Sequence, residues 1–136
     1  MHDILSLLLA IRMISKDIHY MAFGKEFYSD HLLADNIEED LDKFIDEINE
    51  VHYLGKGENA PLASSVVEKS MRFIPNSYDG IENAWIVLGK AIELALGKLD
   101  ELNEQDVMLS MGDKDLLGRI ANYLQQKNGF IVRRIK

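Results

Sequence analysis

The chain predicts an all-α fold, a four-helix bundle with a short helix in one long crossover between the second and third helices. Two observations predict it. Apolar residues recur at three- and four-residue steps in four long segments, and no segment alternates apolar with polar in the manner of a strand. A third observation sets the connectivity: Gly24 separates the first two segments, and Gly55, Gly57 and both prolines, Pro61 and Pro75, fall in the longest gap, between the second and third. With 136 residues, 47% of them hydrophobic, the chain suits one domain over residues 1–136 with room for a single sizeable core.

Each element follows from its own residues. Ile4, Leu5, Leu8, Leu9, Ile11, Ile14 and Ile18 predict a first helix over about 3–21, with Gly24 as its stop. A second begins near 25–27 and carries Leu32, Leu33, Ile37, Leu41, Phe44, Ile45, Ile48 and Val51. It is expected to end at Leu54-Gly55, with Gly as the C-cap. Residues 55–61 read as a loop, and 62–73 hold a short helix before Pro75. Asp79 is the expected N-cap of a third helix, in which Ile81, Trp85, Leu88, Ile92, Leu96 and Leu99 keep the period to about Asn103. Asp113 then caps a fourth, with Leu116, Leu117, Ile120, Tyr123 and Leu124 on one face and Asn128-Gly129 as its end. Two helix pairs joined by one long crossover are the ferritin-like layout. Bundles of this kind host many unrelated activities, so function rests on the polar residues.

Composition narrows those activities. Fifteen Lys and Arg against 23 Asp and Glu give a net charge of −8, and no basic tail offsets it. Such a surface repels phosphate backbones, which argues against direct DNA binding, and it favours cations. Cysteine is absent, removing disulfides, thiolate zinc sites and thiol nucleophiles, so any metal must be held by His and carboxylate. The apolar run from Ile4 to Ile11 is bounded by Asp3 and by Arg12, Lys16 and Asp17. It is too short to span a bilayer and lacks the marks of a signal peptide, so no membrane association and a cytoplasmic location are expected. No phosphate-binding loop, serine elbow, HExxH zinc motif or Glu-x-x-His pair is present.

Metal-ligand chemistry concentrates between His19 and Glu50. Asp46 and Glu50 are four residues apart, so on a helix both carboxylates reach one cation, and the same holds for His31 and Asp35. Folding back at Gly24 sets His19 and His31 at one height on neighbouring helices. The two clusters on the second helix are separated by about 22 Å of helix axis, against metal–ligand bonds of about 2 Å. If both serve one centre, they come from different subunits. A two-fold axis crossing the helix between positions 31 and 46 brings them together.

This spacing, His19-(11)-His31-(3)-Asp35-(10)-Asp46-(3)-Glu50, with an aromatic after the first His and Gly24 five residues beyond it, resembles the Dps family of small dodecameric ferritins. The likeness covers most of the chain. It implies that His19 and His31 are iron ligands from one subunit and Asp46 and Glu50 those from its dimer partner. Asp35 is implied as the support of a second, weaker iron position. It further implies a mono- or di-iron centre that oxidises Fe(II) with hydrogen peroxide or oxygen, and a ferric mineral held in a twelve-subunit shell, protecting against oxidative damage. Zinc or manganese suit the same donors. Three departures stand out: Tyr20 replaces the usual Trp, Val51 replaces a basic residue, and a Lys-rich extension before the first helix is missing.

Plainer readings exist for each residue. Asp46 and Glu50 lie in a run with Glu38, Glu39, Asp40, Asp42 and Glu47, and such runs are usually solvated faces. His19 could close a helix against its dipole, and His31 could be a surface residue. His2 and His52 fit no cluster and read as exposed or capping residues, while Trp85 and Phe44 read as packing. The rival functions are a ferritin-like shell or interaction protein without redox turnover, binding zinc or no metal, and a small bundle that binds nucleic acid or a regulated protein.

Overall fold

The computed structural model describes residues 1–105 and 108–135. Among them there is no strand. The helices are α1 (His2–Met21), α2 (Phe27–Glu47), the short α3 (Ala63–Ser70), α4 (Gly80–Gln105) and α5 (Met111–Ile135). The bundle is made by α1, α2, α4 and α5, with α3 in the crossover, packed against α1.

The most enclosed element is α1, which packs on α2, α3 and α4. Its sequence allows this: Ile4, Leu5, Leu7, Leu8, Ala10, Ile11, Ile14 and Ile18 are all buried. Burying each large aliphatic side chain contributes about 1.5–3 kcal/mol. Ser6 and Ser15 are buried among them, and each hydroxyl donates to the carbonyl four residues back, at 3.0 and 2.8 Å. The polar groups are therefore satisfied within the helix. Trp85, Leu88 and Ile92 of α4 and Leu116, Ile120 and Leu124 of α5 complete the core, and Phe44 packs at its edge against Tyr123.

The hairpin between α1 and α2 is tight. Ala22 N–H closes on Ile18 O, Phe23 is extended, and Gly24 takes φ +76° to start a 3₁₀ turn over Gly24–Glu26. Only glycine adopts that φ without strain, so the reversal is encoded at one position.

Three expected helix ends move. The second helix does not stop at Gly55: beyond Glu47 it widens into a π-helical turn over Ile48–Tyr53, tightens into a 3₁₀ turn over Leu54–Lys56, and stops at Gly57, whose φ is +74°. Gly55 serves another purpose, since a Cβ there would lie 3.2 Å from the Glu50 carbonyl. Asp113 is not the cap of α5. Ser110 is: its Oγ accepts from Asp113 N–H at 3.1 Å and Asp113 Oδ2 accepts from Ser110 N–H at 3.2 Å, a reciprocal capping box. Asn128-Gly129 does not end α5, which continues to Ile135.

The extra turns of α5 carry Arg134 to the start of α2. Its Nε and Nη2 donate to Asp30 at 2.7 and 2.9 Å, and Nη1 donates to Glu82 of α4 at 2.7 Å. Asp30 is 2% exposed. His52 also differs from its sequence reading, being half-buried with Nδ1 3.1 Å from Asp113 Oδ1. No described helix is long and apolar enough to cross a membrane.

Candidate metal centre

The α1–α2 hairpin brings the last turn of α1 against the first turns of α2. His19 and His31 stack there, ring centroids 3.9 Å apart and planes tilted by 33°. Phe27 stacks on His31 at 5.2 Å, and Tyr20 meets His19 edge-on at 5.2 Å. Tyr20 thus makes an aromatic contact with His19.

Backbone geometry assigns the His31 tautomer. Nδ1 lies 3.4 Å from the His19 carbonyl, which can only accept, so Nδ1 is the donor of this contact and Nε2 is the ring nitrogen turned to other partners. A neutral imidazole oriented by a backbone carbonyl is the usual condition of a metal-binding histidine. His19 is held differently. Its Nδ1 is buried, has no hydrogen-bond partner among the described residues, and lies 3.7 Å from Asp35 Oδ1, too far for a hydrogen bond. A buried nitrogen left in that state costs free energy unless something else satisfies it.

Glu38 joins this group. One ligand atom each from His19, Asp35 and Glu38 lie within 4.8 Å of one another. Glu38 is one helical turn beyond Asp35 on the same face of α2, and its side chain is 15% exposed against 40% for Asp35. Lys16, one turn before His19, donates from Nζ to Glu38 Oε1 at 3.2 Å, and that carboxylate raises the lysine pKa. Sequence spacing did not single out Glu38, because Glu38, Glu39 and Asp40 are indistinguishable until the facing helix is placed. The signal available was its three-residue offset from Asp35.

Hairpin geometry therefore stacks His31 on His19 and sets His19 opposite Asp35, while the ligand atoms that lie within 4.8 Å of one another are those of His19, Asp35 and Glu38 and not of His31. Asp46 and Glu50 are exposed on the far half of the second helix and, among the described residues, neither side chain has an ion-pair or hydrogen-bond partner. A separation of about 22 Å along the axis follows from the helical rise. Glu50 stands inside the π-helical turn, where more residues complete each turn than in an α-helix, so its phase relative to Asp46 differs from a plain four-residue step.

Two solved structures share this architecture. A point mutant of Mycobacterium smegmatis Dps1 superposes with a TM-score of 0.79 at 18% identity, covering 99% of this chain and 91% of that one. A C-terminal deletion mutant of Mycobacterium smegmatis Dps gives 0.81 at 17% identity, covering 99% and 93%. No protein-family model and no curated protein sequence matches the chain. The protein therefore has a Dps-like fold, a ferritin-like four-helix bundle, and it is the fold that these structures share with it.

Proposed function

We propose that this protein is a mini-ferritin that takes Fe(II) as substrate, oxidises it with hydrogen peroxide or oxygen, and retains the ferric product within a homo-oligomeric shell. The observation that carries this reading is the buried Nδ1 of His19, which has no hydrogen-bond partner among the described residues, in a ring that stacks on His31 and faces Asp35, on a Dps-like fold. Imidazole and carboxylate donors suit iron in both oxidation states. With peroxide, two Fe(II) each give up one electron, and the oxidant takes two protons to leave as two waters.

His19, His31 and Asp35 are one half of the proposed centre. Asp46 and Glu50 of a second copy are the other half, which makes a dimer obligatory for turnover and leaves the larger shell, a dodecamer by family resemblance, for storage. The test is Fe(II) added anaerobically, then peroxide, with ferric absorbance followed for wild type, His31→Ala and Glu50→Ala, alongside solution mass. Fast oxidation in wild type and a loss of about tenfold or more in both variants is expected. Equal slow rates in all three, or a monomer in solution, would overturn the reading in favour of a helical shell or interaction protein without turnover.

A further inference from the structure

Along the seam between α1 and α2, three residues of α1 face three of α2 in antiparallel order. Arg12 pairs with Asp42 at 2.6 Å, Lys16 with Glu38 at 3.2 Å, and His19 faces Asp35 at 3.7 Å. The first two rungs join a fixed cation to a carboxylate. At the third the cation is replaced by an imidazole, and the gap opens. Among the described residues, Asp35 has no ammonium or guanidinium partner and His19 Nδ1 has no hydrogen bond. A cation seated beside this rung satisfies both.

We propose that Glu38 is a further ligand for a divalent transition metal, supplied by the same subunit as His19 and Asp35, and that the Lys16 ammonium is the internal cation it releases when the metal arrives. This rests on the reading that His19 faces a metal, and adds to it a third donor from one chain and a competitor. Glu38 is the more enclosed of the two carboxylates, so it needs a counter-charge at all times. Lys16 is 45% exposed, and its flexible stem can carry the ammonium into water at small cost once a doubly charged ion replaces it. Ligand atoms around one ion lie about 3–3.5 Å apart for bonds of about 2 Å. The present spread of up to 4.8 Å is closed by rotamer changes of about 1 Å.

The test uses Co(II) as the probe, titrated into the intact oligomer and read by its visible absorbance and by chelator competition. Variants are Glu38→Gln, Glu38→Asp, Lys16→Met, their Gln–Met combination, and His19→Ala, each checked by circular dichroism. Glu38→Gln is expected to weaken Co(II) about tenfold or more and to change the spectrum, with Glu38→Asp losing less. Lys16→Met is expected to tighten binding several-fold, and that gain disappears in the combined variant because the two residues act through one contact. Should Glu38→Gln not fold, the Lys16→Met gain decides alone. Unchanged affinity in Glu38→Gln or in Lys16→Met overturns the proposal. If His19→Ala abolishes binding while Glu38→Gln is neutral, the metal centre stands and Glu38 leaves it; if wild type binds no Co(II), both fall.

Discussion

A buried carboxylate stays ionised only where donors and cations converge on it, and Asp113 has two donors on Oδ2 and an imidazole beside Oδ1. Lys56 Nζ and Ser110 N–H donate to Oδ2, at 2.5 and 3.2 Å, and His52 Nδ1 stands 3.1 Å from Oδ1. Burial pushes its pKa up, but the Lys56 and Ser110 hydrogen bonds with His52 outweigh that and hold it below the ordinary value of 3.8. A depressed carboxylate contributes stability that is present above the unfolded-state pKa and disappears as pH falls through the folded-state value. Asp113→Asn should therefore be less stable than wild type at pH 7 by about 1–3 kcal/mol. Thermal melts of the two proteins should converge as pH drops below about 4. A gap that stays constant from pH 7 to pH 3 would show that the charge of Asp113 is not what ties Lys56 and His52 to α5.

Between elements, the longest-range tie is Arg134, which pins the end of α5 to the start of α2 and of α4. Asp30 and Glu82 raise the guanidinium pKa, Asp30 most. Arg134→Ala leaves Asp30 charged and enclosed, and should cost about 3 kcal/mol in denaturant unfolding, while Arg134→Lys, lacking the fork, should recover less than half. A loss under 0.5 kcal/mol in Arg134→Ala would mean that α5 is held by its apolar face alone. This tie was not legible in the sequence, because Asn128-Gly129 offered a plausible stop six residues earlier and nothing local says that α5 has a partner for Arg134. The helices themselves were legible: the spacing of Ile4 through Ile18, or of Trp85 through Leu99, is set by core packing and survives without knowledge of any neighbour. Their ends are set by contacts. Gly57 rather than Gly55 stops the second helix because the π-helical turn delays it, and Ser110 rather than Asp113 caps α5 because the box works in both directions. The same division applies to the candidate centre. His19 meets His31 and Asp35 because one Gly24 turn folds two periodic segments together, whereas Glu38 required knowing which face of α2 meets Lys16 and His19.

At the scale of the whole molecule, both ends of the second helix expose apolar side chains beside candidate ligands. Around the α1–α2 turn, Tyr20, Phe23, Phe27 and Tyr28 are exposed beside His19 and His31; at the other end Val51 and Leu54 are exposed beside Glu50. Apolar surface of this kind marks contacts between chains, and in the proposed dimer a two-fold axis across α2 would set each end of one copy against the other end of its mate. The proposed shared centre has a consequence that a centre inside one chain does not. In His31→Ala every subunit lacks an imidazole, in Glu50→Ala every subunit lacks an acid, and neither variant alone assembles a complete site. When the two are unfolded together and refolded, half the dimers are mixed. Each mixed dimer has one site with both defects and one with neither. About a quarter of all sites are then complete, and peroxide-driven Fe(II) oxidation should return to about a quarter of the wild-type rate. Separately refolded variants combined without exchange should show none of this recovery. If co-refolded subunits are no faster than their parents while mass measurement confirms mixed dimers, the acids and imidazoles do not meet across a two-fold axis, and the metal chemistry must be sought within His19, Asp35 and the residues facing them in a single chain.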